Sequence, residues 1–154
     1  MSICVRVQTQ DFDVSEELLL LRQQSSQVGA MVNFVGVVRD INDSAGVTTL
    51  ELEHYPGMTE ASITAIVDKA QQRWQLFGVT VIHRVGKMTP TEQIVLVAVT
   101  SLHRGDAFQA CEFIMDFLKT QAPFWKKEQT ATGERWLDAR ATDQQASERW
   151  LEAK

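Results

Sequence analysis

Apolar and polar positions along the chain fall into two periods, and the switches between them mark out the elements. ICVRVQT, residues 3–9, reads as a short opening strand. In DVSEELLLLRQQ, residues 13–24, a leucine cluster follows Asp13 and Ser15, either of which suits a helix N-cap. GAMVNFVGVVRD, residues 29–40, is a nearly continuous valine-rich run, and predicts a strand covered on both faces. It ends at Arg39 and opens into DINDSAG, a loop by composition.

VTTLELEHY, residues 47–55, alternates cleanly: Leu50, Leu52 and His54 point one way, Glu51 and Glu53 the other. Pro56-Gly57 turns the chain into a helix expected from about Thr59 to Trp74, where Ile63, Ile66, Val67, Ala70 and Trp74 form one stripe. GVTVIHRVG and EQIVLVAVTS are the next strands. LHRGD then leads into AFQACEFIMDFLKTQ, a helix with Ala107, Cys111, Ile114 and Leu118 on its inner line. Pro123 disfavours helix at Ala122, so this helix stops near Gln121. FWKKEQT and ERWLDA, joined around ATG, predict a β-hairpin, and the tail from about residue 142 is either a short helix or flexible. Two helices between strand pairs point to an α+β sandwich rather than a repeated parallel βαβ unit.

Composition narrows this picture without changing it. With 154 residues and 44% hydrophobic content, one domain spanning 1–154 is expected, with a core that needs no disulfide staple. The net charge of −5 argues against broad nucleic-acid binding, though not against a small basic pocket. Cys4 and Cys111 lack metal-ligand spacing, so both read as buried small hydrophobes. The N-terminal stretch alternates and carries acid early, unlike a signal peptide, and no apolar run approaches a membrane span. A reducing cytoplasm is the expected compartment.

Candidate chemistry concentrates in cations at element ends. Arg39 ends a strand, while His103 and Arg104 stand between a strand and a helix N-terminus. That junction suits an anion, because unpaired N–H groups and the helix dipole both favour negative charge. Ordinary surface charge accounts equally well for either arginine taken singly. Lys119 sits in the last turn of its helix, where the dipole alone favours a cation. Lys126 and Lys127 alternate on a strand, so at most one of them readily joins Lys119 in a pocket. His54 and His83 read as hydrogen-bonded core histidines, and Glu51 and Glu53 as a solvent face. No GxSxG, phosphate loop, dinucleotide fingerprint or HExxH is present, which disfavours the enzymes built on them.

Taken together, VNFVGVVRD, LEHYPGMTE, RW, VTVIHRVG, VTSLHRGDAFQACEFIMDFLKTQAPFWKKE and GERWLDA resemble the large, catalytic subunit family of molybdopterin synthase. The resemblance runs from about Val32 to Ala139 and is most specific in the segment ending PFWKKE. It implies an α/β hammerhead-type fold with an added antiparallel sheet, consistent with the α+β reading. It also implies sulfur transfer to a cyclic pyranopterin monophosphate, precursor Z, in molybdenum cofactor biosynthesis. The sulfur donor would be the C-terminal Gly-Gly thiocarboxylate of a small ubiquitin-like carrier subunit. The assembly would be a homodimer with a carrier at each end, a heterotetramer, with no cofactor and no metal.

Carried onto this sequence, the resemblance implicates Lys119 and Lys126 as catalytic residues. Substrate contacts would come from Val37, Val38, Arg39, His103, Arg104, Lys119, Lys126, Lys127 and Glu128, with His103 and Arg104 reaching the neighbouring subunit's pocket. Cations of this kind suit a substrate phosphate and an anionic thiocarboxylate held together in a partly dry site. Two rival readings carry their own signatures. A scaffold that docks the carrier tail would form the complex without turnover, and a small acidic nucleotide-binding regulator would bind a nucleotide in place of a pterin.

Overall fold

The computed structural model describes residues 1–42, 45–131, 133–137 and 141–152. In chain order the elements are β1 (Ser2–Gln8), α1 (Val14–Arg22), β2 (Ala30–Val37), β3 (Ile41–Asn42), β4 (Ala45–His54) and α2 (Met58–Arg73). They continue with β5 (Leu76–Arg84), β6 (Gly86–Met88), β7 (Gln93–Ser101), α3 (Arg104–Gln121), β8 (Phe124–Thr130), β9 (Gly133–Leu137) and α4 (Ala141–Glu152).

Two sheets organise these strands. The first has the order β1-β5-β7-β2, with β1 parallel to β5 and the other pairs antiparallel. The second runs β3-β4-β8-β9, with β6 pairing β4. The α+β reading holds, with four helices and two sheets among the described residues.

β7 shows why the first sheet carries the core. Its alternate residues Val95, Val97 and Val99 face α2 and α3, where they meet Ile63, Ile66, Ala110 and Ile114. Leu96 and Ala98 point to the opposite face and pack with Ile82 and with Phe12 and Leu21 from the α1 side. A strand buried on both faces has no place for a polar alternation, and QIVLVAVTS has none until its end. Fully burying each of the valine, leucine, isoleucine and phenylalanine side chains contributes roughly 1.5–3 kcal/mol. Asp13 starts α1, its carboxylate accepting the Glu16 N–H at 3.0 Å.

Two expectations need correction. β2 is an edge strand, and Asn33, Phe34 and Val37 on it are exposed, so the valine run is only partly covered. β2 pairs only with β7, and its apolar residues still pack partly on both faces, Val32 toward the α2 and α3 side and Val35 toward the α1 side, which composition does not distinguish from a central strand. The stretch expected as the loop DINDSAG contains β3 and the start of β4, paired Ile41 to Gly46 and Asn42 to Ala45. Residues 43–44 lie outside the described part.

The second sheet meets the first through Val38, Leu50, Leu52, Val85 and Met88, all buried. The Pro56-Gly57 turn supplies the reversal into α2, Gly57 taking a φ of 84° that a side chain would resist. Thr59, fully buried, ties this turn together: its hydroxyl donates to the Tyr55 carbonyl at 2.9 Å and accepts the Tyr55 N–H at 3.0 Å. The same hydroxyl lies 3.4 Å from the Pro123 carbonyl, which fixes the start of β8 beside the turn.

Candidate active site

The register of β8 on β4 decides which of its side chains face inward. Phe124, Lys126 and Glu128 lie opposite His54, Leu52 and Leu50, whereas Trp125 and Lys127 lie opposite Glu53 and Glu51. Because Leu50 and Leu52 face the core, the first set faces inward with them. Lys126 and Lys127 are therefore neighbours in sequence and on opposite sides of the sheet.

Lys119 arrives from another direction. α3 carries it in its last turn, and the chain leaves the helix at Ala122 with an extended ψ of 132° as Pro123 requires. The Phe124 N–H donates to the Ala122 carbonyl at 2.9 Å, turning β8 back past the helix end. Arg39 comes from the far end of β2, after a register shift between Gly36 and Val37. A Cβ at Gly36 would sit 2.8 Å from Val95 Cγ1, so the close approach of β2 to β7 at this bulge needs glycine. The next segment is pinned by the Val38 N–H to the Glu92 carbonyl and by the Thr91 N–H to the Val38 carbonyl, both at 2.9 Å.

These three approaches meet around a cavity of about 490 Å³, within the range of small-molecule sites. Arg39, Lys119 and Lys126 line it with Val37, Val38, Glu128 and Asp143, against apolar walls that include Phe34, Ile94, Met115 and Phe124. Glu128, 3% exposed, is bound by Arg135, with Nη2 3.1 Å from its Oε1. Part of the carboxylate charge is thus answered by an arginine outside the cavity lining. The space is amphipathic and carries three cations, which suits a planar, partly apolar molecule bearing an anionic group.

Lys127 does not line the cavity. Its Nζ is 3.3 Å from Glu51 and 3.7 Å from Glu134, and it stands over the Trp136 ring at 5.3 Å. Glu51, then Glu134, raise its pKa above the ordinary lysine value, which keeps it an ammonium. His103 and Arg104, at the N-terminus of α3, are exposed and also outside this cavity. Of the residues implicated from sequence, the fold brings together Val37, Val38, Arg39, Lys119, Lys126 and Glu128.

One residue read from sequence as core belongs to the cavity wall. His83 on β5 lines it, stacked on Phe124 with ring centroids 3.8 Å apart and planes 20° from parallel. Its Nδ1 lies 2.9 Å from the Arg84 carbonyl. Burial pushes its pKa down to about 3; the charges of Lys126 and Lys119 and nearby His54 act in the same sense, against the carbonyl, which favours the protonated ring. A signal was present: His83 continues the inward alternation of Val79 and Val81, so it is a polar residue on the face that should be apolar.

A family model described as MoaE protein matches residues 7–121. The chain belongs to the MoaE family. It is 62% identical over 146 residues to the molybdopterin synthase catalytic subunit of Ralstonia nicotianae, covering 95% of this chain and 83% of that relative. Among solved structures, the molybdopterin biosynthesis MoaE protein from Burkholderia ambifaria matches with a TM-score of 0.84 and 52% identity, over 98% of this chain and 99% of that one. Molybdopterin synthase from Staphylococcus aureus matches with a TM-score of 0.79 and 28% identity, over 86% and 95%. This MoaE-family chain therefore has the hammerhead-type architecture that its sequence resemblance implied, and the cavity lies within a fold shared with molybdopterin synthases.

Proposed function

We propose that this MoaE-family chain is the catalytic subunit of a molybdopterin synthase, a sulfurtransferase that converts cyclic pyranopterin monophosphate to molybdopterin. The observation that carries this reading is the convergence of Lys119, Lys126 and Arg39 on one amphipathic cavity. Its partners would be a small ubiquitin-like sulfur carrier and a second copy of this chain, with 1–154 as a single large-subunit domain. Cys4 and Cys111 are both free, which supports a cytoplasmic setting, and among the described residues no helix is long and apolar enough to cross a membrane.

The chemistry follows from charge. The carrier's thiocarboxylate sulfur attacks a pterin side-chain carbon as that carbon's C–O bond breaks, the oxygen leaving with the phosphate or, once protonated, as water, and carrier and pterin are joined through an acyl thioester. Water then cleaves the acyl–sulfur bond, releasing the carrier as a carboxylate and leaving sulfur on the pterin. A second carrier repeats the sequence. Negative charge develops on the acyl oxygen in the hydrolytic step, and a fixed ammonium stabilises it without reorganisation. Lys119 takes that role, Lys126 assists in activating the substrate, and Arg39 holds the phosphate with its planar donor fork. Val37, Val38 and Glu128 complete the wall. His103 and Arg104, outside the chain's own cavity, would serve the neighbouring copy's site. The test is a reconstituted assay of carrier thiocarboxylate, pterin phosphate and this protein, comparing wild type with Lys119→Ala. Molybdopterin from the wild type and near-complete loss in the variant are expected. A carrier complex that makes no product would replace the enzyme with a docking scaffold.

A further inference from the structure

His83 has two ring nitrogens, and the fold assigns them different states. Nδ1 faces the Arg84 carbonyl at 2.9 Å, and a carbonyl can only accept, so Nδ1 carries the proton. In the neutral ring Nε2 is then a bare lone pair. It is not sealed in the core, since among the described residues the buried side-chain polar atom without a partner is His54 Nδ1. The ring lines the cavity and is held in plane by its stack on Phe124, whose strand neighbour on the same face is Lys126.

We propose that His83 orients the bound heterocycle by accepting a hydrogen bond from one of its ring or amino N–H groups at Nε2. The proposal rests on the reading of the cavity as a pterin-phosphate site and adds a contact to it. Its physical basis is a division of labour. The three cations of the cavity are donors and select the anionic group, but none of them can receive a hydrogen bond from a nitrogen heterocycle. Of the carboxylates in the lining, Glu128 is engaged by Arg135, and a carboxylate acceptor, Asp143 included, offsets part of the positive charge that an anion would meet. A neutral imidazole receives it and leaves that field intact. Burial and the nearby lysines keep the ring uncharged through the neutral range, so the acceptor persists there. Phe124, on the ring's face, fixes the direction of the lone pair.

The test is titration of the full-length protein with cyclic pyranopterin monophosphate, and separately with inorganic phosphate. His83→Phe keeps a stacking ring and removes the acceptor, whereas His83→Gln keeps an acceptor on the side chain. His83→Phe should weaken pterin-phosphate binding about tenfold, the effect of leaving a buried N–H unpaired. His83→Gln should recover most of it, and inorganic phosphate should bind wild type and both variants alike. Should the Phe variant fail to fold, the wild-type 15N resonance of His83 Nε2 decides: it should shift on adding pterin phosphate and stay put with phosphate alone. Unchanged pterin affinity in His83→Phe, equal losses in both variants, or an unmoved resonance would overturn the role of His83 alone. Wild type that binds phosphate but no pterin would overturn the pterin reading and this contact with it.

Discussion

The two faces of β8 carry the same kinds of residue and different physics. On the inner face Lys126 stands between Phe124 and Glu128 and lines a cavity shared with Lys119 and Arg39. On the outer face Lys127 lies between Trp125 and Gln129, held by Glu51 and Glu134 over the Trp136 ring. One step along a strand separates a lysine that shares an open cavity with Lys119 and Arg39 from a lysine paired to two surface carboxylates. A lysine enclosed by carboxylates has its charge answered locally and offers little to a ligand. The cavity sets Arg39, Lys119 and Lys126 around one open space, lined also by Glu128 and Asp143, in which a ligand can meet them together. Proximity in sequence to a cavity-lining lysine therefore does not put a strand neighbour in the cavity; the parity of the position decides.

The largest effect expected from this contrast is on turnover. Removing the ammonium at Lys119 or Lys126 with alanine should lower sulfur transfer about a hundredfold or more, the scale of losing one donor at a developing oxyanion. Far-ultraviolet circular dichroism should show both variants folded. Next comes the support beneath the inner face. Leu52, 1% exposed, lies opposite Lys126, and Leu52→Ala should cost about 2–5 kcal/mol in a urea melt, while its outward neighbour takes no part in the core.

A third effect concerns pH. The folded-state pKa of His83 lies below its unfolded value, so the unfolded chain binds one more proton between about pH 3 and the ordinary histidine range near 6.5. Stability from this group is fully present above 6.5 and falls as pH drops through that window, by roughly 1.4 kcal/mol per pH unit. The groups facing the ring are the Arg84 carbonyl, Phe124, Lys126, Lys119 and His54. Denaturant melts of wild type and His83→Phe at pH 4.5 and 7 should show the smaller acid loss in the variant; equal losses would contradict a neutral buried His83.

The smallest effect is at Cys111, buried against the Val97 carbonyl with its pKa pushed up to about 12, first by burial and then by Glu112. Native protein should leave it unmodified by a thiol reagent at pH 8, with labelling appearing only on unfolding.

Much of this was legible before any coordinates. The alternation in VTTLELEHY gave the inward set Leu50, Leu52 and His54, and Pro123 gave the end of α3, because both are local rules of backbone geometry. Parity also indicated that at most one of Lys126 and Lys127 readily joins Lys119 in a pocket, and it is Lys126 that lines the cavity. Three things were not local. The edge position of β2 depends on which strands pair, and a valine run looks alike in either place. His83 reads as core by burial, and only the meeting of β5 with Phe124 and the end of α3 puts a cavity beside it. Asp143 of α4 reaches the lining through helix docking on α3, where Arg149 pairs with Glu112 and Asp116 and the Trp150 indole N–H donates to Asp116 at 2.6 Å. Such contacts are set by tertiary packing, and no period in the sequence announces them.

The most direct measurement places Lys126→Ala beside Lys127→Ala in the reconstituted sulfur-transfer assay, at saturating carrier and pterin phosphate. The inner-face variant should lose about a hundredfold or more in rate, whereas the outer-face variant should stay within about threefold of wild type. Equal losses, or a larger loss from Lys127→Ala, would contradict the assignment of the two faces and move the site to the other side of the sheet.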